Sequence, residues 1–244
     1  MQTRLLTAGA LALVAMLLFA AQTTARVEQS FPVSHFACYP AQLSGGKHPL
    51  VKLKNQFGQA TGYVGTAQRL CAPARKNTSG IINGAAHLTC YTLTHYTTTA
   101  KNHVVLIKNQ FGSQQMTVVV NPVQWLCAPS SKAAVGSVPG PVPTVLDHYL
   151  CYSVDPGTFK QINVKVGDQF GTSTDTVVHA TSLCVPTSKN GSHLVQPRVH
   201  LLCYLVKSPS HAHAVVVRNQ FGILNGSAGQ RDRLCVPSTK TIVR

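Results

Sequence analysis

One short pattern occurs four times in this chain, and it limits the fold more than any other feature. Each copy opens on His-x-x-Cys-Tyr, passes through a central (Asn/Asp)-Gln-Phe-Gly, and closes on Leu-Cys-x-Pro-x-x-Lys. The copies occupy residues 35–76, 87–132, 148–189 and 200–240. All eight cysteines fall inside them, as Cys38 with Cys71, Cys90 with Cys127, Cys151 with Cys184, and Cys203 with Cys235. The two cysteines of a copy lie 33, 37, 33 and 32 positions apart. An even cysteine set at repeated spacing in an exported chain implies a disulfide framework. Bridging within each repeat is the simplest connectivity, and exchange between neighbouring repeats is its main rival. Zinc is the alternative use of such thiols, but no Cys-x-x-Cys occurs, and the expectation is no metal and no cofactor.

Export is read from the first 25 residues. Arg4 supplies a positive end, Leu5 to Ala21 an apolar run, and Thr23-Thr24-Ala25 a small-residue cleavage site, which together read as a signal peptide over 1–25. An uncleaved anchor is the other reading, although the run barely reaches the ~20 residues that span a bilayer. No later stretch could serve as a transmembrane segment. The expected location is therefore secreted or cell-surface.

Within each repeat the centre alternates with period two. Val51, Leu53 and Phe57 share one face while Lys52, Lys54 and Gln56 share the other, as a half-buried strand requires. Val105, Ile107 and Phe111, then Val164, Val166 and Phe170, then Val215, Val217 and Phe221 repeat the apolar face. The glycine after each phenylalanine can take positive φ and end the strand in a turn. The opening segments also read as strands. There the cysteine points away from the face shared by His35 and Tyr39, His87 and Tyr91, His148 and Tyr152, or His200 and Tyr204. Those pairs read first as side-by-side packing with hydrogen-bonded tips, and second as a repeated ligand site. A third strand is clear at Met116 to Val120 and at 176–178, and weak in the glycine-rich outer repeats.

A unit of ~45 residues is small for its own core. The joint between the second and third repeats is five residues longer than the other two and rich in proline and glycine. The expectation is an all-β chain of four disulfide-containing repeats, paired into two pseudo-symmetric sandwich- or barrel-like domains. The first covers 31–133 and the second 145–241, with a linker at 134–144. This layout resembles an uncharacterised tandem-repeat domain of secreted bacterial proteins that carries the same HxxCY, QFG and LCxPxxK arrangement over nearly the whole mature chain. The resemblance implies a secreted, disulfide-linked β module, and it implies no activity and no catalytic residues.

Charge is the main functional clue. Without Arg4 the mature chain has 20 Lys and Arg against 6 Asp and Glu, a net charge of +14. Lys54, Lys108, Lys165 and Arg218 are expected on the outer face of the second strands. Cations at repeat spacing could hold an anionic polysaccharide or envelope polymer by multivalent contact; alternatively, they keep sheet edges from pairing. Nucleic acid is less favoured, because no RNP, zinc-finger or helix-turn-helix pattern is present. Trp125 occupies the position of Arg69, Ser182 and Arg233 in the other repeats, either as a sugar platform or as strand packing. The expected function is a non-enzymatic binding or structural module. The alternative is a secreted hydrolase with its site at a repeat interface, although no GxSxG, HExxH or Walker loop occurs.

Overall fold

The computed structural model describes residues 31–243, so the signal-peptide reading of 1–25 lies outside the described residues. Each repeat supplies three strands, and no helix is present among the described residues. The first repeat forms β1 (His35–Ser44), β2 (Leu50–Asn55) and β3 (Gly58–Lys76). The second forms β4 (His87–Thr98), β5 (His103–Asn109) and β6 (Gly112–Ala133). The third forms β7 (His148–Pro156), β8 (Ile162–Asp168) and β9 (Gly171–Lys189). In the fourth, β10 (His200–Lys207) and β11 (His213–Asn219) precede a divided third strand, β12 (Gly222–Ala228) and β13 (Arg233–Ile242).

The QFG corner makes each second hairpin. The Asn55, Asn109, Asp168 and Asn219 side-chain oxygens each accept the N–H of the phenylalanine two residues on, at 2.8–2.9 Å. These local bonds reverse the chain. Gly58, Gly112, Gly171 and Gly222 then sit at φ of +144°, +110°, +134° and +128°, where a side chain would be strained.

First and third strands pair in the closed order β1, β3, β4, β6, β7, β9, β10, β13 and back to β1, every step antiparallel. A closed circuit leaves none of these strands as an open edge. The glycine-rich third strands expected to be weak both form, the first as continuous β3 and the fourth in two pieces, β12 and β13. Their glycines admit the next strand: a Cβ at Gly62 would lie 2.5 Å from that of Tyr96 on β4, and one at Gly226 would lie 1.9 Å from the Gln42 carbonyl on β1.

The second strands add outside this circuit, and each is locked by a distant repeat. The tail of β3 pairs β8, that of β6 pairs β11, that of β9 pairs β2, and that of β13 pairs β5. Every repeat thus reaches the repeat two along, in both directions. This corrects the expectation of two domains joined by a spacer at 134–144. β6 and β7 pair on either side of that joint, and β6 also pairs β11, so all thirteen strands belong to one sheet.

The alternation read from sequence sorts side chains onto two layers. On the inner face, all eight cysteines gather with Phe36, Leu88, Tyr149 and Leu201. On the outer face, Tyr39, Tyr91, Tyr152 and Tyr204 join the aliphatic residues of the second strands. The four bridges fall within repeats, Cys38–Cys71, Cys90–Cys127, Cys151–Cys184 and Cys203–Cys235, with Cα atoms 3.9–4.0 Å apart. In each, the two cysteines are direct cross-strand partners. Each closes a loop of 32–37 residues, worth ~3–4 kcal/mol on the chain-entropy estimate.

Because no bridge crosses the exposed 134–138 stretch, a protease nick there leaves two fragments held by strand pairing alone. They should co-elute on native size exclusion, separate on a non-reducing denaturing gel, and fail to fold when expressed singly. Two independently folded halves would disprove the interlocked sheet.

Candidate functional site

The repeated polar residues meet at the interfaces between repeats, and most of them are consumed there. The amide of Asn55 donates to the Tyr152 hydroxyl at 2.9 Å and to Thr187 Oγ1 at 3.2 Å. Asn109 does the same to Tyr204 and Ser238 at 3.1 and 3.0 Å, and Asn219 to Tyr91 and Ser130 at 2.5 and 3.3 Å. Burial pushes Tyr91, Tyr152 and Tyr204 up to about 12, so they remain neutral. Each phenylalanine of a QFG corner lies edge-on to the same tyrosine, at 4.9–5.5 Å between centroids.

The corner glutamine takes the histidine of the preceding repeat, as Gln110 with His35 at 3.0 Å, Gln169 with His87 and Gln220 with His148. The closing lysine lies over the next corner's ring: Lys76 over Phe111, Lys132 over Phe170, Lys189 over Phe221, and Lys240 over Phe57, at 4.4–5.9 Å. That geometry is a cation–π contact. Burial, reinforced by Lys76, Lys132, Lys189 and Lys240 respectively, lowers His35, His87, His148 and His200 to about 4. The histidine–tyrosine pairs are thus packing elements, and the ligand alternative loses its groups to these contacts. The pattern breaks once. Gln56 turns to the Pro197 carbonyl and accepts from Lys240, leaving His200 Nε2 buried without a partner.

In one corner the chemistry changes as a set. The third repeat has Asp168 for asparagine, and the first has Ala74 where the others have Ser130, Thr187 and Ser238. Tyr39 instead donates to Asp168 at 2.6 Å. The carboxylate charge is met by Arg231, whose side chain is 1 % exposed. Its guanidinium reaches Asp175 at 2.8 Å, Ser173 at 3.0 Å and the Tyr39 oxygen at 3.1 Å. Nothing in the repeat pattern marked Arg231, because the other repeats have no counterpart to it.

Trp125 is half-buried against the cysteine cluster. The Arg69 guanidinium covers its ring at 4.8 Å and forms a bidentate pair with Asp232 at 2.5 and 2.9 Å; Arg233 also donates to Asp232. This is the packing geometry weighed against a sugar platform.

The remaining candidates are the cations of the second strands. Lys54 and Lys108 are exposed and Arg218 is partly exposed, each immediately before its corner asparagine. Lys165 is also exposed, but it is not equivalent to them. Counted from the corner it matches Lys52, and the equivalent position is Gly167. The structure fills that gap from another repeat. Lys54, Lys108 and Arg218 pair across the sheet with Ser188, Thr239 and Ser131, whereas Gly167 pairs with Arg75. A Cβ at Gly167 would lie 2.6 Å from Arg75 Nε, so the arginine lies across the space a side chain would take. Cation and small residue have exchanged strands, and all four positions keep a positive charge. They form a cyclic set, one at each interlocked hairpin, rather than the straight row that repeat spacing suggests.

Two outcomes follow from this network. Arg231→Leu leaves Asp168 and Asp175 buried without their counter-ion and should cost about 3–5 kcal/mol, with part recovered by adding Asp168→Asn; urea denaturation of the single and double variants measures both. The four histidines are neutral when folded and have lower pKa values than in the unfolded chain. Their contribution is therefore present above about 6.5 and is lost as pH falls through about 4. A tenfold difference in proton affinity between the folded and unfolded chain corresponds to about 1.4 kcal/mol. The urea midpoint should therefore fall steadily across that window, and less steeply in His35→Gln.

Comparison with known protein families finds a match over most of the repeat array. The family described as a repeat of unknown function, DUF7450, covers residues 87–237. No curated protein and no solved structure matches the chain. The matched span runs from the opening histidine of the second repeat to the closing motif of the fourth, and the chain belongs to this family of repeats of unknown function.

Proposed function

We propose that the protein is a secreted, non-enzymatic binding or structural module that holds anionic polymers outside the cell or at its surface. One observation carries this reading: the fold removes its own negative charge from the surface. Asp168 and Asp175 are spent on Arg231 and Asp232 on Arg69 and Arg233. Asp147 is buried, accepting the N–H groups of Val195 and Gln196 at 2.6 and 2.7 Å. Among the described residues only Asp155 is an exposed acid, against ten exposed lysines and arginines. Such a surface carries a positive field that attracts polyanions. The exchange between Gly167 and Arg75 supports the same reading, since it keeps a cation at each of four equivalent positions. Four buried disulfides suit an oxidising compartment. No helix of the described residues is long and apolar enough to cross a membrane.

The test is a binding screen of the mature protein against dextran sulfate, polyphosphate and DNA at two salt concentrations. Affinity should fall steeply with salt, because surface charges are screened within ~8–10 Å at physiological ionic strength. Replacing Lys54, Lys108, Arg218 or Arg75 singly by Gln should weaken binding modestly. Replacing all four should weaken it by about 10²-fold, since the sites act through effective concentration, while Lys165→Gln should matter less than Arg75→Gln. Binding that is insensitive to salt, or unchanged in the quadruple variant, would return these residues to a solubility role.

A further inference from the structure

The four disulfides do not sit apart as separate staples. Cys127 Sγ lies 3.6 Å from Cys151 Sγ, Cys184 Sγ 3.9 Å from Cys203 Sγ, and Cys235 Sγ 3.5 Å from Cys38 Sγ. Joined by the four covalent bonds, the eight sulfurs run as one unbroken chain from Cys90 to Cys71. They surround a cavity of only about 20 Å³, which the Arg69 and Arg233 side chains also line. We propose that this chain is a thiol–disulfide relay, in which a two-electron reduction at any one bridge is passed between repeats.

The chemistry balances without any further reactant once an external dithiol has acted. Suppose the dithiol opens Cys151–Cys184: it leaves as its own disulfide, and both protein sulfurs become thiols. The Cys151 thiolate then attacks Cys127, forming Cys127–Cys151 and expelling the Cys90 thiolate, which takes up the proton that Cys151 gave up. On the other side Cys184 attacks Cys203, and the expelled Cys235 attacks Cys38 and expels Cys71. Each of these steps makes one S–S bond and breaks one, with no net change in oxidation state. Opening any other bridge leads to the same end. Three inter-repeat bridges remain, Cys127–Cys151, Cys184–Cys203 and Cys38–Cys235, with thiols at the two chain ends, Cys71 and Cys90. The loops change with the partners: Cys38–Cys235 spans 197 residues where Cys38–Cys71 spans 33, while Cys127–Cys151 and Cys184–Cys203 span only 24 and 19, so the three new bridges together constrain the unfolded chain less than the original four. The relay thus turns four bridges within repeats into links between repeats.

The experiment is native-state treatment of the protein with dithiothreitol at one to two equivalents, acid quenching, thiol labelling and non-reducing peptide mapping, with circular dichroism confirming that the fold is kept. The expected products are the three inter-repeat peptides with label concentrated on Cys71 and Cys90. In Cys151→Ser/Cys184→Ser the sulfur chain is cut, so the only inter-repeat product should be Cys38–Cys235. The relay is overturned if label appears only on the two cysteines of one repeat, if cysteines pair at random, or if the bridges stay intact until the protein unfolds.

Discussion

The contact between a corner asparagine and a tyrosine two repeats away holds this structure together. A repeat of three strands can hide its cysteines on one face and its aliphatic residues on the other, but it has nothing of its own to cover the tyrosine. The cover comes from the opposite repeat, whose Phe57, Phe111, Phe170 or Phe221 packs edge-on while the adjacent Asn or Asp satisfies the hydroxyl. Since each repeat gives this cover and also requires it, no one repeat, and no adjacent pair, has a complete core. Strand pairing enforces the same reciprocity through the four tails that cross to the second strands opposite.

Departures from fourfold equivalence are informative because they come in compensated groups. Asp168 and Ala74 change together at one interface, and Arg231 arrives from a third repeat to balance the charge. Gly167 loses a cation that Arg75 restores from across the strand pair. In the first case the buried carboxylates are given a counter-ion; in the second a surface charge is kept. A buried carboxylate needs a counter-ion for stability alone. Nothing in packing requires that an exposed position stay positive, and for that reason the second substitution supports the proposed binding of polyanions.

The same economy shapes the surface. Acids in this chain are few, and the fold places most of them where they hold backbone or arginine groups. The result is a protein whose interior uses aspartate as a structural ligand and whose exterior is left almost entirely cationic. The sulfur chain lies on the opposite, inner face of the same strands, so any redox event there is separated from the charged surface by the full thickness of the strand circuit.

The sequence by itself determined the local layer of this structure. Period-two alternation placed Val51, Leu53 and Phe57 against the core and Lys52 and Lys54 outside it. The spacing of histidine, cysteine and tyrosine put the sulfur opposite the other two, and the glycines of the QFG corners ended the second strands. Pairing of cysteines within repeats was the simplest reading of separations of 32–37 residues, exchange between neighbours being its rival, and the structure has the pairing within repeats. Partners were decided only in the tertiary structure. Alternation reports that a side is covered and not by what, so the link between repeats two apart, the continuity of the sheet through 134–144, and the burial of Arg231 had no local signature. The long Pro/Gly-rich joint looked like a boundary because composition registers exposure of the connection, while the hydrogen bonds that bind its two sides are made by the strands that flank it, β6 and β7, and by β11 far along the chain from β6. Arg75 escaped notice for the same reason: its role exists only because Gly167, ninety-two residues later, lies across the sheet from it.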